Sequence, residues 1–307
     1  MKKNFNKALK LVLVFTIIFP VTGISQTEMD AIMMNKNQFC TGLIYDRSTW
    51  DHYWEGSYKR NNENLGEVST QSLINMSAYG ITNNLNVMAG APYVWTKASA
   101  GTLLGMKGFQ DLSIFIKWKA LTSSFGNNKV SLIVLGGVST PLSNYVVDFL
   151  PMSIGMGSTN LTAKTMLDYQ WKNFTVTGSA AFIQRSNNKL DRDSYYDTEL
   201  HLTNEVKMPN ASQLQLRTGY RGKYIIAEAL LTKWTTLGGF DISKNNMPFP
   251  SNRMNATMIG MNIKYTLKNL TNLSLLAGTN YTVAGKNVGQ SKAFNLGAFY
   301  AFYVNKK

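Results

Sequence analysis

LNVMAGAPYVWTK, Leu85 to Lys97, alternates from end to end. Leu85, Val87, Ala89, Ala91, Tyr93 and Trp95 form one row, and Asn86, Met88, Gly90, Pro92, Val94 and Thr96 form the other. A period of two belongs to a β-strand, whose successive side chains point to opposite faces. Thirteen residues of alternation are long for a strand in an ordinary globular domain. A Tyr/Trp pair closing an apolar row resembles the aromatic girdle where a membrane meets water.

The same pattern recurs from Thr49 onward. In the stretch ending at Trp171, Leu161, Ala163, Leu167, Tyr169 and Trp171 oppose Asn160, Thr162, Lys164, Asp168 and Gln170. Tyr195 to Met208 sets Tyr196, Leu200, Leu202 and Val206 against Asp197, Glu199, His201, Glu205 and Lys207. Leu112, Ile114, Ile116 and Trp118 oppose Asp111, Ser113, Lys117 and Lys119, with Phe115 as the misfit. The pattern predicts strands near 48–60, 68–81, 85–97, 109–121, 129–139, 158–171, 174–185, 194–207, 212–222, 251–267, 273–283 and 291–304. Lys223 to Leu237 also looks strand-like but has no place among these twelve. Bacterial barrels use even numbers of strands, so it either joins an outer loop or helps to make fourteen.

The connections alternate in length. Short ones fall near Thr82 to Asn84, Lys172-Asn173, Met208 to Ala211 and Lys268 to Asn272, with Ser123 to Asn128 somewhat longer. Long ones fall near Asn61 to Gly66, Ala98 to Gly108, Thr140 to Gly157, Arg185 to Asp193, Gly238 to Pro250 and Gly285 to Gln290. Short turns on one side and long loops on the other mark an outer-membrane barrel. A soluble β-sandwich also alternates, but its strands are nearer five or six residues and its inner faces are filled by large aliphatics. Here the apolar rows mix Ala, Gly and Thr with Leu, and the polar rows carry charges in mid-strand. The fold class expected is all-β: a transmembrane, antiparallel, up-and-down β-barrel of about twelve strands.

The N-terminus fits export. Lys2, Lys3, Lys7 and Lys10 precede the apolar run LVLVFTIIFPV, and Gly23-Ile24-Ser25 precedes Gln26, so residues 1–25 read as a signal peptide. The run is about half the roughly 20 residues a membrane-spanning helix needs, and nothing later approaches that length. Removing the signal lowers the net charge from +14 to +10. A positive balance suits an anionic partner such as lipopolysaccharide, or else lysines solvated in loops. The single cysteine, Cys40, excludes an intrachain disulfide.

Three short runs carry a family resemblance: YGITNNLNV (Tyr79 to Val87), GMKGFQDLSIFIKWK (Gly105 to Lys119), and the closing stretch from Pro248-Phe249-Pro250-Ser251-Asn252 through GKNVGQS (Gly285 to Ser291). With the step Gly108, Asp111, Leu112 as its most recognisable point, the chain from Trp50 onward resembles the outer-membrane β-barrels described as transporters of the putative MetA pathway of phenol degradation. The resemblance implies a barrel and passage of small, apolar or aromatic solutes across the outer membrane. It brings no binding residues with it. The ending Phe302 to Lys307 departs from the usual terminal aromatic.

The side chains expected to line the lumen are Lys117, Lys119, Lys164, Asp168, Asp197, Glu199, His201, Glu205, Arg217, Arg221 and Lys264. Charged rows of this kind set ion preference in a pore, or pair across a narrow barrel and close it. Tyr93, Trp95, Trp118, Tyr169 and Trp171 are expected in the membrane girdles. His52 shares a row with Trp50 and Trp54, and His201 lies among carboxylates. A hydrogen-bonded lumen suits His201 better than a Ser/His/acid catalyst, so no enzyme is expected. No zinc spacing is present, and no cofactor is called for. Residues 26–47 form an N-terminal periplasmic or plug segment ahead of a barrel from 48 to 307. Its Met29, Met33, Met34 and Cys40 are soft ligands that could hold Cu(I), but an occluding plug is the better reading. Expected partners are outer-membrane lipid and lipopolysaccharide, a small-molecule solute and the barrel-assembly machinery, with no nucleic acid. The function expected is passive solute passage; the alternative is a closed structural or surface-binding barrel that acts through its extracellular loops.

Overall fold

Rows of alternating side chains become a closed wall when every strand finds two neighbours. The computed structural model describes residues 26–242 and 247–304; the expected signal peptide and the three C-terminal residues lie outside them. Twelve antiparallel strands form the wall: β1 Gln38–Trp50, β2 Val68–Gly80, β3 Leu85–Ala98, β4 Asp111–Phe125, β5 Asn128–Pro141, β6 Asn160–Trp171, β7 Phe174–Arg185, β8 Ala211–Arg221, β9 Ile225–Thr236, β10 Asn255–Thr266, β11 Leu273–Lys286 and β12 Lys292–Tyr303. Each pairs with the next in sequence, and β1 pairs with both β2 (Phe39↔Tyr79) and β12 (Gln38↔Tyr303), which closes the barrel without a free edge. Closure satisfies every strand's backbone within the sheet.

The opening stretch became β3, with Asn86, Met88, Val94 and Thr96 buried inward. Pro92 has no N–H to give to a neighbour. The ladder from β3 to β4 stops at Gly90↔Ser113, and beyond Pro92 a three-residue strand, Lys107–Phe109, takes over the pairing outside the twelve. The misfit Phe115 points inward and packs against the buried core.

The expected number of strands was right, but two expected strands were not. The first strand begins at Gln38, ten residues before the expected barrel boundary at 48, and the range 48–60 instead enters a loop hairpin, His52–Glu55 with Tyr58–Asn61. Residues 194–207 are not a wall strand. β7 pairs directly with β8 from Phe174↔Tyr220 to Ile183↔Ala211, which leaves no room between them. The alternating apolar residues Tyr196, Leu200 and Leu202 are 65–84% exposed in the loop, which holds only two-residue ladders. The unplaced segment is β9, and Met208 to Ala211 lies at the long-loop end, not in a short turn.

Short turns, at 81–84, 126–127, 172–173, 222–224 and 267–272, share one end with the start of β1 and the end of β12. The other end carries the long loops, 51–67, 99–110, 142–159, 186–210 and 237–254. The outer face is apolar all round: Leu43, Ile116, Leu167, Leu216, Met261 and Leu296 are each about half exposed.

Candidate functional site

Residues 26–37 run through the barrel interior, because their partners come from strands on every side. Asp30 first shapes the segment locally. Its carboxylate accepts from the Thr27 backbone N–H (2.9 Å), the Thr27 hydroxyl (2.8 Å) and the Ile32 N–H (3.0 Å), folding 27–32 into a tight turn. Turning the carbonyls inward creates a cage of oxygens, and Lys117 of β4 fills it. Its Nζ donates to the carbonyls of Thr27 (2.6 Å), Asp30 (2.8 Å) and Ile32 (3.3 Å) and lies 3.4 Å from the Asp30 carboxylate, with the side chain 0% exposed.

A buried ammonium is tolerated only when paired and fully hydrogen-bonded, and this one is. Burial alone pushes the Asp30 carboxyl up, but Lys117, Arg217 and Lys264, with the Thr27 hydroxyl, outweigh it and hold the carboxyl below its ordinary 3.8. Further anchors come from other strands. Lys164 of β6 reaches the Glu28 carbonyl (3.4 Å) and Arg217 of β8 donates to the Met29 carbonyl (3.1 Å). Asn86 of β3 pairs both ways with the Met34 backbone, at 3.0 and 3.1 Å, as a strand neighbour would. At the turn into β1, a Cβ on Gly80 would run into the Asn35 carbonyl, so the approach depends on glycine.

Apolar contacts complete the seal. Met34 and Ala31 pack with Cys40, Ile44, Ala78, Met88, Ile133, Leu135, Met166 and Phe299. Met34 and Cys40 are therefore core residues, and Met29 places its sulfur 3.6 Å from the Lys164 ammonium. Among the described residues no three His, Cys, Asp or Glu side chains gather as a metal site.

Beside the segment a four-member charge chain crosses three strands. Asp168 of β6 accepts from Arg221 through both oxygens (3.2 Å each), Arg221 donates to Glu228 of β9 (2.9 Å), and Glu228 accepts from Arg217 at 2.7 and 3.1 Å. These charges pair across the inner wall.

Of the residues expected in the lumen, Lys117, Lys164, Asp168, Arg217 and Lys264 are buried, and Lys119 and Arg221 are partly so. Asp197, Glu199, His201 and Glu205 are a correction: they lie in the 186–210 loop outside the wall, because that segment is not a strand. There, His201 Nε2 lies 3.0 Å from Asp197, its ring stacks on Tyr195 at 4.6 Å, and Glu205 accepts from Asn187. No hydrogen bond among the described residues joins a serine hydroxyl to either histidine; His52 meets Asp51. Two functional residues escaped the sequence reading, Asp30 and Glu228. The sequence signal for Glu228 was present, in the inward row of the segment left unplaced.

Trp118, Tyr169 and Trp171 lie on the outer face toward the short turns. Toward the long loops Tyr93 and Trp95 join Tyr45, Phe109 and Phe294 in an aromatic cluster with ring centroids 5.3–6.3 Å apart.

Above the segment, the long loops fold inward. Thr96 of β3 donates to the carbonyl of buried Met152 in the 142–159 loop (2.6 Å). Between the loops lies a cavity of about 460 Å³ lined by Trp50, Tyr53, Leu65, Leu103, Leu150, Met247, Pro248 and Val288, with Asn62, Asn64 and Asn287 as its amides. Asn287, buried and at φ 54°, organises it. Its amide accepts from Gly56 N–H (2.7 Å) and Ile242 N–H (3.2 Å) and donates to Asp241 (3.0 Å) and the Arg253 carbonyl (2.9 Å), tying three loops together. A mostly apolar cavity with a few fixed polar groups is the usual form of a small-molecule site.

The sequence pattern of the family described as Putative MetA-pathway of phenol degradation matches residues 55–297. Among solved structures, the chain is similar to the COG4313 outer membrane channel from Pseudomonas putida F1, with a TM-score of 0.70 and 14% identity over 91% of this chain and 100% of that one. It is more distantly similar to the NanC porin, with a TM-score of 0.46 and 7% identity over 84% of this chain and 98% of that one. No curated protein matches the sequence.

Proposed function

The chain belongs to the family described as Putative MetA-pathway of phenol degradation, and we propose that it is an outer-membrane channel for passive passage of small apolar or aromatic solutes, gated by residues 26–37. The observation that carries this reading is a closed barrel that is apolar outside and filled inside by its own N-terminal segment. An apolar ring of this extent would be a large exposed patch in water and is what a bilayer requires of a barrel. The short turns then face the periplasm and the long loops the exterior.

The loop cavity supports the solute class: aromatic and aliphatic walls with three amides suit an uncharged or weakly polar ring better than an ion. With the segment seated, Lys117 and Met34 are fully buried in the barrel interior, and in this reading passage of a solute requires the segment to shift. The same burial favours a second reading, a permanently closed barrel whose loops bind partners at the cell surface.

Uptake separates the two. An intact lipopolysaccharide leaflet excludes the apolar dye N-phenylnaphthylamine, so cells expressing the chain should take it up several-fold faster than cells without it, and Leu103→Asp in the cavity should remove most of the gain. Equal uptake with and without the chain would favour the closed barrel.

A further inference from the structure

On the short-turn side of the N-terminal segment lies a second cavity, of about 380 Å³, with chemistry opposite to that of the loop cavity. Its lining brings five cations together from separate strands and turns: Lys119, Lys129, Arg221, Lys223 and Lys264. The one acid in the lining, Asp168, is already held by both of its oxygens on Arg221 and by the Thr177 hydroxyl. Among the described residues no carboxylate lies within ion-pair distance of Lys119, Lys129 or Lys223, and Lys223 rests over the Tyr224 ring at 5.1 Å. Lys129 and Lys223 are exposed and Lys119 is half-buried, and three cations without a carboxylate around a concave mouth concentrate anions there.

The lining also carries the polar Ser131, Gln170 and Thr266, and it includes an apolar wall. Ala31, Ile32 and Met33 of the N-terminal segment form this wall, with Ile226 of β9, the cross-strand partner of Lys264, also in the lining. A bare inorganic anion would leave that wall unused. We infer that this cleft binds a small organic carboxylate, its anionic head among Lys119, Lys129 and Lys223 and its apolar body against Ile32, Met33 and Ile226. It is a ligand site separate from the loop cavity, on the opposite side of the segment, and it needs no flux through the barrel.

Calorimetric titration of the folded chain in zwitterionic detergent tests it, with benzoate, the neutral isostere benzyl alcohol and inorganic phosphate as probes at constant ionic strength. Benzoate is expected to bind saturably and at least tenfold more tightly than either of the others. Lys119→Ala/Lys129→Ala should weaken benzoate about tenfold or more, as loss of charge-assisted contacts does, while Lys233→Ala on the outer face leaves it unchanged. Should the double variant misfold, judged by loss of heat-modifiable migration, raised salt on the native chain supplies the same test: benzoate must weaken and benzyl alcohol must not. Equal binding of benzoate and benzyl alcohol would overturn the cationic head site. Phosphate as tight as benzoate would overturn the organic ligand. Because binding is read without transport, failure of the uptake assay leaves this result standing, and the reverse.

Discussion

Lys117 is the residue on which the closed interior turns. Its ammonium donates to three carbonyls and is the cation nearest the Asp30 carboxylate, at 3.4 Å. Lys117→Ala should loosen the N-terminal segment by roughly 3–5 kcal/mol, the usual cost of breaking a buried pair from one side. Limited proteolysis checks this, since the variant should be cut within 26–37 under conditions that spare the native chain. Lys117→Met/Asp30→Asn, which removes both charges, should loosen it less. The Asp30 carboxyl titrates lower in the folded chain than in the unfolded one, so its contribution is fully present above 3.8 and is lost as the pH falls below that through the depressed value. Protease sensitivity of the segment should therefore rise in acid below 3.8, and Asp30→Asn should abolish the pH dependence. At the other mouth, Asn287→Ala removes four hydrogen bonds and should loosen the loop cluster by roughly 2–4 kcal/mol, seen as faster amide exchange at Gly56 and Ile242 with the barrel strands unchanged.

At the scale of elements, the strand Ile225–Thr236 and the loop ladder at 195–206 exchange the roles that periodicity alone gave them. Both stretches alternate, but alternation records two faces and does not say which partner fills them. What decided the matter was pairing: β9 runs in register with β8 from Ala211↔Thr236 to Arg221↔Ile226 and with β10 from Ile225↔Tyr265. That leaves the 195–206 stretch outside the wall. An epitope tag inserted after Glu199 should be displayed on whole cells with heat-modifiable folding intact, whereas the same tag after Glu228 should prevent assembly. A tag after Glu199 that is hidden, or that abolishes folding, would contradict the assignment. The site was legible to the same degree. Lys117, Lys164, Asp168 and Arg217 could be picked out because strand rows fix which face a residue takes. Their partners could not, because Asp30 lies in a turn whose contact with the wall, through Lys117, is 87 residues away in sequence. The sequence allowed the N-terminal segment to be a periplasmic or a plug segment ahead of the barrel, and it did not show that β1 starts at Gln38, because Gln38 to Arg47 alternates less cleanly than β3.

For the whole molecule, the apolar outer face, aromatic clusters toward both ends and a filled interior belong to one account: a membrane barrel closed by its own chain. If Trp118 and Trp171 lie at lipid depth, brominated lipids should quench much of the tryptophan fluorescence, and Trp118→Phe/Trp171→Phe should remove most of that quenching. Five cations line the cleft at the short-turn mouth, so cations belong to the interior's electrostatics as well as to solubility. The central claim is that residues 26–37 close the barrel and are held by Lys117. Single-channel conductance in a planar bilayer measures it most directly. The native chain should be silent or open only briefly, and both Lys117→Ala and deletion of residues 26–35 should give steady conductance. A native chain that conducts steadily, with the same conductance after the deletion, would contradict the account.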